Sequence, residues 1–116
     1  MRWVFDVETY PNVFTCAFEN ADAPVKLFYE VSPWRDDSQA LLQFLSYLNS
    51  SNSTMVGFNN IAFDYPIIHL IMKMGKAVPS VIYEKAQACI SSEDWTHQVY
   101  PSDRFIPQID LLKVHH

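Results

Sequence analysis

Hydrophobic and polar positions alternate most clearly at the start of the chain. Over residues 2–8, Trp3, Phe5 and Val7 fall on one side of a period-two pattern, and Asp6 and Glu8 fall on the other. This predicts a strand. Tyr10-Pro11-Asn12 is a turn signal, and residues 13–18 read as a second strand. A further turn over 20–24 leads into a third strand over 25–31. Short strands joined by tight turns imply an antiparallel meander.

The period then changes. Ser32-Pro33 breaks the strand pattern, and Asp36, Asp37 and Ser38 are candidate caps for a helix reaching about residue 48. Leu41, Leu42, Leu45 and Leu48 give that helix one apolar face. A polar loop over 49–53 precedes a short apolar strand over 54–58. Pro66 suits the first turn of a second helix carrying Ile67, Ile68, Ile71 and Met74, with Gly75 as its terminator. A third helix is expected over 80–90, an irregular excursion over 91–107, and a last strand over 109–114. The expected order β-β-β-α-β-α-α-β describes an α/β domain with a mixed sheet flanked by helices.

Composition supports a folded domain: of 116 residues, 49% are hydrophobic and 15% aromatic. Two glycines against seven prolines argue against flexible linkers. The net charge of −5 excludes binding to nucleic acid through bulk field alone. The eight Lys and Arg are scattered, so any such chemistry needs local cations or bound metal ions. Cys16 and Cys89 form no paired motif and read as reduced thiols of a cytoplasmic protein. No apolar run approaches the roughly 20 residues of a membrane span, and the first residues do not resemble a signal peptide.

Two places carry candidate chemistry. Asp6 and Glu8 are two apart on a strand, so their carboxylates share a face. On an interior strand they repel each other and lose hydration, a cost of several kcal/mol unless a cation compensates. Oxygen donors of this kind suit Mg²⁺ or Mn²⁺. The plainer alternative is a strand end where two acids meet water. The second place is Gly57-Phe58-Asn59-Asn60-Ile61-Ala62-Phe63-Asp64-Tyr65-Pro66, where a strand ends and a helix begins. Ligands of open α/β sheets collect at such strand ends. Taken singly, Asp64 reads as a helix cap, Phe63 as core and Asn59 as a strand terminator.

Together these segments resemble the first two motifs of the DEDD, or DnaQ-like, 3′–5′ exonuclease superfamily, whose fold is RNase H-like. Asp6-Val7-Glu8-Thr9, continuing into Tyr10-Pro11-Asn12, resembles the first motif, D-[IV]-E-T. Residues 57–66 resemble the second motif in its form in family B and phage DNA polymerases, G-[YF]-N-x-x-x-F-D-x-P. Ile109-Asp110-Leu111 resembles the strand that follows it. The resemblance implies a five-stranded RNase H-like sheet and a DNA-proofreading exonuclease that uses two Mg²⁺ or Mn²⁺ ions. It assigns Asp6, Glu8 and Asp64 as catalytic metal ligands. It assigns Thr9, Asn59 and Phe63 to the 3′ end of single-stranded DNA.

A fourth acid is also implied, in a motif with a nearby Tyr or His. Asp110 lacks that neighbour, so the chain is expected to be the N-terminal portion, residues 1–116, of a single exonuclease domain that is weak or inactive alone. A polymerase domain or replisome component is the expected partner, in a host cytoplasm if the protein is phage-encoded. His69, His97, His115 and His116 show no ligand spacing and read as structural or solvent-exposed. Two rivals stand beside the exonuclease. One is a non-catalytic RNase H-like interaction module, and the other is an unrelated small α/β binding protein.

Overall fold

The computed structural model describes residues 1–91 and 97–114. β1 (Arg2–Tyr10), β2 (Val13–Asn20) and β3 (Lys26–Ser32) form the expected meander. β1 and β2 pair antiparallel from Trp3 opposite Asn20 to Tyr10 opposite Val13. A two-residue β4 (Arg35–Asp36) then folds back on β3. α1 (Ser38–Ser50), β5 (Thr54–Gly57), α2 (Asp64–Met74) and α3 (Pro79–Ser91) follow. The chain ends in a 3-10 turn (Pro101–Asp103), β6 (Gln108–Asp110) and α4 (Leu111–Val114).

The six strands make one mixed sheet in the order β4-β3-β2-β1-β5-β6, with β5 parallel to both β1 and β6. Six replaces the expected five because the Ser32-Pro33 break is the start of a tight hairpin. Asp37 holds that hairpin shut: its carboxylate accepts from Glu30 N at 2.9 Å and pairs with Arg35 Nε at 2.7 Å. Asp37 is also the residue that precedes α1, but its side chain makes no capping bond; Asp36 accepts from Ser38 N instead. Gly75 ends α2 with a left-handed φ of 69°, as its position predicts.

The last strand differs from expectation. It covers three residues, not six, because Asp110 Oδ1 accepts from Leu112 N at 3.0 Å and turns the chain into α4. Of the irregular excursion, residues 92–96 lie outside the described residues, as do His115 and His116.

Trp3, Phe5 and Val7 of β1 and Phe14, Cys16 and Phe18 of β2 are buried on one face of the sheet. Leu41, Leu45 and Leu48 of α1, Ile67, Ile68 and Ile71 of α2, and Ile82 and Ala86 of α3 complete that core. Phe44 closes it by edge contacts with Trp3 at 5.0 Å and Phe18 at 4.8 Å between ring centres. The opposite face of β1 and β2 is largely open: Arg2, Val4, Asp6, Glu8, Ala17 and Glu19 are all exposed. Among the described residues, no helix is long and apolar enough to cross a membrane.

Candidate functional site

Acids from three elements, β1, α2 and β6, lie near the carboxyl end of β5. Asp6 and Glu8 stand on the open face of β1, both exposed. This revises the desolvation argument: β1 is interior to the sheet, but the carboxylates keep their hydration because nothing described covers that face. Asp64 has the opposite environment. β5 leaves the sheet after Gly57, and the Asp64 carboxylate takes over as hydrogen-bond partner of β1. Its Oδ2 accepts from Val7 N at 3.1 Å, and the side chain is only 6% exposed. The Val7 amide lies between Asp6 and Glu8 in the chain. Asp64 therefore reaches the middle of the D-x-E segment.

Electrostatics record the crowding. Burial pushes the Asp64 carboxyl up to about 6, opposed by hydrogen bonds from Val7 N–H and its own amide, with the negative charges of Asp6 and Asp110 adding to the rise. Burial holds the Cys16 thiol well above its ordinary range, and the charges of Asp64 and Asp6 reinforce it. Among the described residues, Asp6, Glu8, Asp64 and Asp110 take part in no ion pair; the pairs are Arg2–Asp22, Lys26–Glu19 and Arg35–Asp37.

Asp64 is not the helix cap that it resembles in isolation. It is the first residue of α2, after Phe63, and its carboxylate is spent on β1. What shapes the approach is the loop between β5 and α2. Asn59 takes a left-handed φ of 61°, a conformation Asn tolerates better than most residues. The Asn59 and Asn60 carbonyls accept from Phe63 N and Tyr65 N at 3.1 and 2.7 Å. Asn60 is fully buried and donates Nδ2 to Gln108 Oε1 at 2.9 Å.

The expected substrate residues divide. Asn59 and Phe63 share the wall of one groove of about 490 Å³, with Ala62 and with Cys89 and Ile90 of α3. Phe63 is half-buried and packs on the core as well. Thr9 stands apart: the strand alternation puts it on the helix-covered face of β1, opposite Asp6 and Glu8. Asp6 borders a separate depression of about 360 Å³ on the open face, floored by Val4, Ala17 and Phe28. His69 is structural. Its Nδ1 meets Tyr65 Oη at 3.0 Å, and its ring stacks on Phe105 at 4.4 Å.

Asp110 was the residue least legible in the sequence. It is 3% exposed and lies opposite Gly57 in the β5–β6 register. Its carboxylate accepts from Asn59 N at 2.8 Å, Ile61 N at 3.1 Å and Leu112 N at 3.0 Å. The signal for it was the resemblance of Ile109-Asp110-Leu111 to a strand segment, which carried no hint of these backbone donors. Gly57, which opens the second motif, is required by close packing. A Cβ there would lie 2.8 Å from Asn60 Cβ and 2.9 Å from its Cγ.

Searches against protein-family models, curated proteins and solved structures return no match.

The residues fit a hard divalent cation by donor chemistry: three carboxylates from two elements, with no cationic partner among the described residues. They do not form a closed site. Among the described residues, no group of three or more His, Cys, Asp or Glu is gathered tightly enough to hold a metal ion. Asp6 and Glu8 are exposed, whereas Asp64 is fixed by its bond to β1.

Proposed function

We propose that this chain carries the carboxylate centre of a metal-dependent 3′–5′ exonuclease acting on single-stranded DNA ends, in an RNase H-like domain. One observation carries the reading. Asp64, from a helix start, hydrogen-bonds the backbone between Asp6 and Glu8, and its carboxyl is pushed up to about 6 by burial and by neighbouring acids. A buried acid raised by specific charged neighbours at strand ends marks a functional-site candidate. In this reading Asp6, Glu8 and Asp64 hold Mg²⁺ or Mn²⁺. The bound ions supply charge stabilisation for phosphodiester hydrolysis. Asn59 and Phe63, on one groove wall, offer an amide and an aromatic edge to the terminal nucleotide, and stacking on such rings tolerates any base. Thr9 contributes through its backbone at the strand end, since its side chain faces away from the acids.

The rival reading, a non-catalytic RNase H-like interaction module that needs no metal, is favoured by the exposure of Asp6 and Glu8, whose carboxylates keep their hydration without an ion. The two are separated by titrating the protein with Mn²⁺ and by incubating it with a 3′-labelled single-stranded oligonucleotide. Saturable Mn²⁺ binding that Asp6→Ala or Asp64→Asn weakens at least tenfold supports the exonuclease. So does divalent-dependent release of mononucleotides. No saturable binding and no release with Mg²⁺ or Mn²⁺ gives the rival the stronger case.

A further inference from the structure

We infer that Asp110 is the positioning residue of this centre: it acts as a brace that holds the β5–α2 loop so that Asp64 meets β1. The inference rests on the exonuclease reading for its functional meaning, while its structural core stands alone.

The hydrogen bonds of Asp110 commit its carboxylate to the backbone in this arrangement. Three backbone N–H groups converge on its two oxygens, from Asn59 and Leu112 on Oδ1 and from Ile61 on Oδ2. These donors take three of about four acceptor positions of the buried carboxylate, and displacing them leaves them unpaired. The donors belong to two elements. Asn59 and Ile61 flank Asn60 in the loop, and Leu112 is the second residue of α4, so one side chain ties the sheet edge, the loop and the following helix together.

The loop needs such a brace. Gly57 and Asp110 face each other in the β5–β6 pair, and after Gly57 the chain must turn sharply through left-handed Asn59. The turn is then handed to α2 through the Asn59 and Asn60 carbonyls, which accept from Phe63 N and Tyr65 N. Asp64 lies between those two amides. Its carboxylate position against Val7 N therefore depends on a loop whose N–H groups Asp110 fixes. Gln108, two residues earlier on β6, holds Asn60 from the same strand. β6 thus serves as the ruler against which the second-motif loop is set.

The test uses Asp110→Asn in the full chain, with amide hydrogen exchange and Mn²⁺ binding read together. Asn keeps one acceptor oxygen but turns an NH₂ toward one of the donors. Faster exchange at Asn59 and Ile61 is expected from any loss of their acceptor. The decisive amide is Val7, which Asp110 does not touch. Its exchange should rise at least tenfold while amides pairing β2 with β3 stay unchanged, and Mn²⁺ affinity should fall at least fivefold although no proposed ligand is removed. If Val7 keeps its protection while Asn59 and Ile61 lose theirs, Asp110 is a local staple and the inference is overturned. If Val7 responds as expected but neither protein binds Mn²⁺, the brace stands and the metal reading fails. Should the variant not fold, denaturant-dependent exchange of the unsubstituted protein decides. Val7, Asn59, Ile61 and Leu112 amides should open as one unit, and separate openings overturn the inference.

Discussion

At the scale of single residues, Asp64 sets the pH behaviour. Its folded carboxyl titrates near 6, above the ordinary Asp value of 3.8. The folded state therefore holds a proton that the unfolded chain has released between pH 4 and 6. Stability from this group is fully present below about pH 4 and is lost as pH rises toward 6. The span corresponds to on the order of 2–3 kcal/mol. Asp64→Asn keeps an oxygen to accept from Val7 N but has no charge to bury. Melting curves from pH 4 to 7 in metal-free buffer should show the variant gaining on the wild type as pH rises. Parallel curves for the two proteins would contradict the buried-acid assignment. Asp6→Asn should act in the same direction more weakly, about 2 °C in melting temperature, because Asp6 is exposed and its charge is screened. If the proposed carboxylate centre holds Mn²⁺, added Mn²⁺ should shrink both gains, since the variants would bind it more weakly. Asp6, Glu8 and Asp64 were singled out by the resemblance of two motifs, since strand spacing and a strand-to-helix junction alone left plainer readings. Asp110 was not, since its role lies in three backbone donors that only the folded loop brings to it.

At the scale of elements, the two glycines are there for different reasons, and substitution separates them. Gly57 has no positive φ; its constraint is the Asn60 side chain packed against it. Gly57→Ala must displace Asn60, which is anchored to Gln108 and to the start of α2. Such overpacking costs about 1–3 kcal/mol. Gly75→Ala meets open space but must hold φ at 69°, a strain of about 1 kcal/mol. Urea midpoints should fall for both with unchanged slopes. Only Gly57→Ala should also weaken Mn²⁺ binding, because only that loop leads to Asp64. Equal metal affinity in the two variants would disconnect the loop from the site. The helices and the three long strands were legible, as their periods run over many residues. β4 and β6 were not. β4 has two residues, and β6 is cut to three by a side-chain turn at Asp110, too short for either to show a period.

At the scale of the whole molecule, Cys16 is a built-in reporter. It sits on β2 opposite Val7, fully buried in the sheet's helix-covered face. Burial and the charges of Asp64 and Asp6 both disfavour its thiolate, the form that reacts. Cys89 differs: it lines the open groove beside Asn59 and Phe63 and is half-buried, with Lys85 partly opposing the rise that burial imposes. Iodoacetamide at pH 8 should therefore modify Cys89 in the native protein. Cys16 should react more slowly by on the order of a thousandfold or more, since exposing it requires opening the core shared by all three packing helices. In denaturing urea the two rates should converge. Because Cys16 lies behind the strand that Asp64 engages, ligands of the carboxylate centre bear on it through global stability. Mn²⁺ at one hundred times its dissociation constant should slow Cys16 labelling about a hundredfold and leave Cys89 nearly unchanged. Mass spectrometry of the two cysteine peptides reads both rates in one experiment. Equal labelling of the two thiols without urea would mean that the β1–β2 core opens locally, and then Asp64 would not be held against β1 as its bond to Val7 requires. Slowed labelling of Cys89 alone would instead place the ion in the groove, away from the acids.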